Sequence, residues 1–525
     1  MGRVGALAAA LGVGGIAGAV LDADGQTRAF DRAAQVAADV GGEGLEGGDV
    51  EGVEAVETVG QFGKRGVNMI KLTLQEIADI VGGELENISA GTATSAIPVI
   101  DSREAKPGTF FVAFDGEHND GHDFVKEAIA NGAEFALVSK SSSAPSIRVN
   151  DVLDALTKLA TEVRSRLTKV KVIGITGSQG KTTTKDLLRH LLSISGETVA
   201  AAESYNNELG VPLLILACNE NTKFCIVEMG ARHIGDISHL VSIAKPQIGV
   251  VLAVGRAHVG EFGSRENIAL AKSELVRGLP TDGIAILGSY DEFTPLMAAN
   301  LRAAVINFGE KPGCDVRAAD VEVREGRAHF DLVTPDGRAA VSLQLLGLHQ
   351  IPNALAAAAV ATALHISIDS IAAALSTAEV TSKWRMAVID TNELLVINDS
   401  YNANPESMAA ALRTLVLIAQ ERGGASWAFL GKMHELGASS PVEHEKIGRL
   451  VSEIGIDHLV TIGTDEYQTD LEGESELHSF PTHLAALEMV NHFAPGDVVL
   501  VKASRSEGFE VLAAELISKW EGISS

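Results

Sequence analysis

Cysteines, aromatic residues and positive charge are all scarce in this 525-residue chain. Its three cysteines, Cys218, Cys225 and Cys314, are odd in number and lack zinc-ligand spacing, so reduced thiols in a cytosolic protein are the simplest reading. Aromatics make up only 4 %, yet the 46 % hydrophobic fraction is that of a globular protein. Forty-two basic residues stand against 69 acidic ones, a formal charge of −27, which argues against a duplex nucleic-acid binder. An anionic substrate stays allowed, because a local pocket can be positive under a negative surface. Long, strongly apolar runs are missing too. The opening "MGRVGALAAALGVGGIAGAVLDADG" has the outline of a secretory signal, but its small residues transfer too weakly for a membrane span. With the Gly/acidic run "GGEGLEGGDVEGVEAVE" behind it, residues 1–68 are expected to be a disordered extension or the product of an upstream start, the true start being Met69.

What is present reads as α/β throughout. "LTLQEIADIVGG" is an amphipathic helix, "IPVIDSREAKPGTFFVAF" is strand, turn and strand, and "DFVKEAIANGAEFALV" is a helix stopped at Gly132 and then a strand. "DVLDALTKLATEVRSRL" is a further helix, which places a boundary near residue 166. From about 170 to 380, apolar runs such as "FCIVEMG" and "IGVVLAVG" alternate with helical patterns, the signature of a mostly parallel, doubly wound sheet. A second strand–helix series follows from about 381. The chain therefore divides into a small N-terminal α/β domain (69–166), a central P-loop-type domain (167–380) and a C-terminal Rossmann-like domain (381–525).

The most informative stretch is "KVIGITGSQGKTTTKDLL", Lys171 to Leu188. A glycine-rich turn aims backbone N–H groups into a concavity, and the following helix presents its positive end there. Gly177 and Gly180 let the backbone approach a phosphate, Lys181 supplies charge to β/γ-phosphates, and the Thr182 hydroxyl is placed to ligate Mg²⁺. The spacing departs from the strict P-loop, since Ile175 stands where the first glycine would be. An ordinary glycine turn capping a helix is the plainer alternative. Glu228 ends the apolar run "FCIVEMG", where a carboxylate could hold Mg²⁺ or simply cap the next helix. His258 and Lys272, taken alone, read as solvated or structural side chains.

In this order the pieces resemble the Mur ligases over about residues 69 to 520. Thr176 through Thr182 match the family's Thr-Gly-x-x-Gly-Lys-Thr loop; "ESYNNELGVPLLIL", "EMGARHIGDI", "AHVGEFGSRENIALAKSEL" and "INDSYNANPESM" match segments after it. The last phrase points to the branch that adds D-alanyl-D-alanine to UDP-N-acetylmuramoyl-tripeptide in building the peptidoglycan precursor. The resemblance implies an ATP- and Mg²⁺-dependent, cytoplasmic, monomeric ligase using two metal ions. Gly177, Ser178, Gln179, Gly180, Lys181, Thr182 and Thr183 would hold the ATP phosphates, with Asn353, Arg385 and Asp399 on the rest of the nucleotide. Thr182, Glu228, His258 and a carbamylated Lys272 would hold metal, and Lys181, His258 and Lys272 would carry the catalysis. Ser102, Arg103, Asp120 and His122 would bind the UDP part, and Asn206, Asn207, Tyr401, Asn402 and Asn404 the rest of the substrates. Gln350, Lys432 and Ala503 depart from the usual Asn, Asp and Gly, with Lys432 reversing a charge near the domain interface. Rival expectations are another Mur ligase, a folylpolyglutamate synthase, or a P-loop switch or motor; against the last, this sequence has no Asn-Lys-x-Asp or Thr-Lys-x-Asp guanine signature.

Overall fold

Thr73 starts the first helix by a reciprocal cap: its hydroxyl accepts from Glu76 N, and the Glu76 carboxylate accepts from Thr73 N at 2.8 Å. Gly82, at φ 67°, ends it, so the helix runs Leu74–Val81 as its amphipathic pattern requires. The computed structural model describes residues 68–524 apart from 117–119, 203, 380–381, 392 and 468–474. The expectation for the N-terminal extension thus lies, but for Asn68, outside the described residues. Five strands follow in the spatial order Glu84–Glu86, Ser146–Arg148, Ala136–Val138, Thr109–Val112, Ile97–Val99. All their pairings are parallel except the first.

Helix α1 (Val152–Arg166) joins this unit to the next. Asp151 caps it by accepting from Asp154 N. Leu156, Leu159 and Val163 are fully buried, within one apolar core that runs from Met69, Leu74 and Phe110 through Leu213 and Ile243 to Leu275. The buried Arg164 secures the seam, donating to the carbonyls of Leu167 and Ala244, each at 2.8 Å, and of Lys245 at 3.2 Å. Asn219 Nδ2 donates to Asn68 O at 3.1 Å, tying down the start of the described chain.

The central sheet has nine strands. Its parallel part contains β1 (Lys171–Thr176) at its heart, flanked by β2 (Phe224–Glu228) and Ile248–Val251. Helix α2 (Lys181–Ser193) follows β1, and the nearly all-buried Ala-rich helix Ile351–Ala363 packs beside it. The alternation read from sequence holds from 171 to 309. Beyond it the sheet turns antiparallel, through the ladders joining Val316–Arg324, Arg327–Thr334 and Gly337–Leu346. Only short turns connect these strands, which leaves no room for a crossover helix. In Arg327–Thr334 half-buried and buried residues alternate strictly, the mark of a sheet covered on one face.

The C-terminal domain is a six-stranded sheet ordered Ala387–Asp390, Leu395–Asn398, Val498–Lys502, Ser426–Leu430, β3 (His458–Ile462) and β4 (Glu476–Phe480). All but the first pair run parallel. Among the described residues no helix is long and apolar enough to cross a membrane.

Candidate active site

β1 and β2 run in register, with Glu228 beside Ile175, so Glu228 reaches the carboxyl edge where the glycine loop departs. Gly180 sits at φ 80°, and a Cβ there would lie 2.1 Å from Asn353 Oδ1, so only glycine fits. Lys181 Nζ donates to Gly177 O at 2.9 Å, folding the amine over the loop. No side chain caps α2, whose first N–H groups are left for an anion.

Around the loop a polar network is drawn tight. Thr182 Oγ1 donates to Glu228 Oε2 at 2.9 Å and lies 3.1 Å from Ser204 Oγ, while Asn206 Nδ2 donates to Glu228 Oε1 at 2.8 Å. Burial opposes charge on Glu228, but Lys181, Lys185 and Arg385 outweigh it and hold its pKa below the ordinary value. Burial, with the Arg385 charge adding to it, lowers the pKa of Lys181 although Glu228 opposes the shift. Lys272 stands on α3 (Arg265–Arg277), whose Ser264 cap accepts from Asn267 N. It is buried, and desolvation followed by the Lys181 charge pushes its amine well below the usual lysine range. Among the described residues the only charge acting on it is the like charge of Lys181.

Asn353 with its neighbours and the C-terminal domain complete the cleft. Asn353 Nδ2 donates to Gln350 Oε1 at 2.8 Å, and Gln350 Nε2 lies 3.0 Å from His349 Nε2. Burial drives the His349 pKa down to about 4. The Arg385 guanidinium lies 3.9 Å from the Tyr401 ring centre and donates to Ser204 Oγ at 3.2 Å. Asp399 accepts from Lys502 Nζ at 2.5 Å and from Met386 N at 3.1 Å. His258, at φ 61°, brings Nδ1 to 2.7 Å from Glu435 Oε2, within ion-pair reach but too bent for a hydrogen bond. Nearby, Arg256 N donates to Glu406 Oε1 at 3.0 Å and Arg256 Nη1 to Glu443 Oε1 at 2.5 Å, so the C-terminal domain is docked on the central one.

Most of these groups, though not Lys185, Arg256, Glu406, Glu435 or Glu443, line a cavity of about 1140 Å³. Ser178 to Thr183, Asn206, Asn207, Glu228, His258, Lys272, Asn353, Arg385, Asp399, Tyr401, Asn402 and Asn404 all border it, whereas Gly177 does not line it and its carbonyl accepts from Lys181 Nζ. Asn206 holds Glu228, Asn207 accepts from Gly210 N, and Asn404 caps the helix α4 (Pro405–Arg422). Four expected residues lie away from this cavity. The Ser102 carbonyl accepts from Asn131 Nδ2 at 2.9 Å, and Arg103, 83 % exposed, pairs with Asp101. His122 Nδ1 lies 2.6 Å from Asp120 Oδ1, its Nε2 accepts from Ser139 N at 2.9 Å, and Asp120 also pairs with Lys140. Lys432 forms a 2.7 Å ion pair with Glu466, which answers its reversed charge within the C-terminal domain. Sequence reading missed Ser204, Arg256, Glu406, Glu435 and Lys502. Of these only Lys502, a charge closing the apolar run "DVVLV", carried a local signal. It also missed Asp151, Asp154 and Thr157, with which α1 brings the N-terminal domain to the cavity wall.

Three family models match in chain order: "Mur ligase family, catalytic domain" over residues 98–174, "Mur ligase middle domain" over 175–361, and "Mur ligase, glutamate ligase domain" over 384–505. A UDP-N-acetylmuramoyl-tripeptide–D-alanyl-D-alanine ligase of Mycobacterium tuberculosis is 40 % identical over 501 residues, covering 86 % of this chain and 98 % of that relative. The crystal structure of MurF from Acinetobacter baumannii superposes with a TM-score of 0.77 at 35 % identity, over 86 % of this chain and all of that one. A MurF ligase of Thermotoga maritima in complex with ADP gives 0.70 at 29 % identity, over 82 % and 99 %.

Proposed function

This chain belongs to the Mur ligase family, and from that premise we infer that it joins D-alanyl-D-alanine to UDP-N-acetylmuramoyl-tripeptide with ATP, releasing ADP and phosphate and completing the pentapeptide precursor of peptidoglycan. The relatives favour this reading over another Mur ligase or a folylpolyglutamate synthase. The observation that carries the chemistry is the meeting of Lys181, Thr182, Glu228 and Lys272 at the edge of one cavity bordered by all three domains.

A carboxylate does not acylate an amine at neutral pH, because oxide would have to leave. Phosphorylating the tripeptide carboxylate from ATP makes an acyl phosphate, whose leaving group is phosphate. The D-alanyl-D-alanine amine attacks it, and the tetrahedral intermediate collapses to the amide. In our reading the α2 N-terminus and Lys181 hold and neutralise the transferring phosphoryl group, and Asn353, Arg385 and Asp399 position the nucleotide. The docked C-terminal domain keeps water from the acyl phosphate.

The residues fit Mg²⁺. Glu228 is an ionised carboxylate already sharing a hydrogen bond with the Thr182 hydroxyl, and both are hard oxygen donors. Mg²⁺ bound there would supply charge neutralisation for phosphoryl transfer. His258 is turned toward Glu435, so service at a second ion would need that contact released. Lys272 suits carbamylation: its depressed pKa leaves a free amine, and reaction with CO₂ yields a carbamate and a proton. The cation thereby becomes an oxygen ligand. Incubating the protein with ATP, Mg²⁺ and UDP-N-acetylmuramoyl-tripeptide should give ADP only when D-alanyl-D-alanine is added. ADP release without any acceptor, or with glutamate instead, would overturn the reading.

A further inference from the structure

A second cluster lies far from the nucleotide cavity, on the outer edge of the C-terminal sheet. β4 is the outermost strand and pairs in parallel with β3, His458 beside Glu476 and Val460 beside His478. Alternate residues of a strand share a face, so Glu476 and His478 project on the same side as His458. The His458 Nδ1 atom lies 3.3 Å from Glu476 Oε2, and His478 Nε2 lies 3.6 Å from that same oxygen. Both ring nitrogens are buried atoms without a hydrogen-bond partner. One donor atom from each residue lies within 4.8 Å of the others.

We propose that His458, Glu476 and His478 form a binding site for a Zn²⁺-class transition-metal ion that fastens the edge strand β4 to β3. Two imidazoles and a carboxylate are a borderline donor set of the kind that takes Zn²⁺. Bonds of about 2.0–2.2 Å to a tetrahedral ion put donor atoms about 3.3–3.6 Å apart. The two observed separations fall on or next to that edge length, so the ion enters with small side-chain shifts. The His458 ring is already held in place, stacking on Trp427 at 3.7 Å and 14°, and Trp427 Nε1 is fixed by Asp497 Oδ2 at 2.9 Å.

The position argues for a fastening role rather than a catalytic one. His458 opens β3 at its amino end, whereas Asp399 and Lys502 meet the cavity at the carboxyl ends of parallel strands in the same sheet. An edge strand exposes unpaired backbone groups, and an ion bridging it to its neighbour protects against slippage.

The test uses the full chain, stripped of metal by chelation and titrated with Zn²⁺ alone. His478→Gln and Glu476→Gln alter half-exposed or exposed side chains, so both variants should fold. The expected result is that the wild type binds one more equivalent of Zn²⁺ at micromolar concentration than either variant. Cu²⁺ should quench the fluorescence of Trp427 in the wild type and lose that quenching in His478→Gln. Ligation by the two variants should match the wild type. Equal Zn²⁺ stoichiometry in all three proteins, or a difference only at millimolar metal, would overturn the site. Failure of the ligation assay itself would bear on the function instead, because the metal count does not depend on it.

Discussion

Lys181 and Lys272 are two lysines in one buried field: burial lowers the pKa of both, and the Lys181 charge lowers that of Lys272 further. Lys181→Ala should lower ligation by about 10²–10³-fold or more, as loss of a transition-state donor does, with the circular dichroism spectrum unchanged. Near-normal turnover in that variant would remove the nucleotide site from this loop. Lys272→Ala should be nearly inactive and regain part of its rate with formate or acetate, which can occupy the carbamate's place. Full activity in CO₂-depleted buffer would reduce Lys272 to an ordinary helix lysine. Stability should move the other way. With its folded pKa below the unfolded one, Lys272 holds fewer protons when folded, so its cost is largest at low pH and fades as pH rises to the unfolded lysine value. Lys272→Met should therefore raise the urea midpoint at pH 7 in CO₂-free buffer and lose that advantage toward pH 10–11, in keeping with an unfolded lysine pKa of about 10.4. A lower midpoint at pH 7 would contradict the assignment. At this scale the loop and its carboxylate were legible, because glycines, a lysine and a strand-ending glutamate mark themselves locally. Ser204 and Glu406 were not, since a serine or a first-turn glutamate looks the same wherever it points.

Among the elements, the segment after His258 is where docking is decided. Gly260 N donates to Glu435 O, and a Cβ on Gly260 would lie 2.9 Å from that oxygen and from Gly437 N. Gly260→Val should push the C-terminal domain off the central one, cutting kcat while the circular dichroism spectrum stays that of the wild type. Unchanged kcat would mean that this contact is incidental to turnover. Arg256→Ala, which removes the pair with Glu443, should act in the same direction but less, because the Arg256 guanidinium is partly solvated. Helix and strand positions were readable where caps and periods agreed, as at Gly132, where the stop read from the sequence ends its helix. The antiparallel turn of the central sheet was not read. Its strands read as part of the parallel series although Arg317, Asp320, Glu322 and Arg324 interrupt the first of them and half-buried residues alternate with buried ones in Arg327–Thr334.

For the whole molecule, three domains were legible from the alternation of patterns, but not how they divide their cores. Leu159 belongs to the core that the N-terminal and central domains share, whereas the C-terminal sheet buries its two faces in clusters that take only Leu346 from the central domain. A shared core cannot melt by halves. Scanning calorimetry should accordingly show the first two domains absorbing heat as one cooperative unit and the third as another. Leu159→Ala, at a cost of about 2–5 kcal/mol, should displace the first transition and leave the second in place. Three separate transitions, or movement of both, would refute that division. The seam through α1 then has a consequence for catalysis: the enzyme should behave as a hinge with one moving leaf, and a nucleotide gripped from both leaves should draw the two heat peaks together.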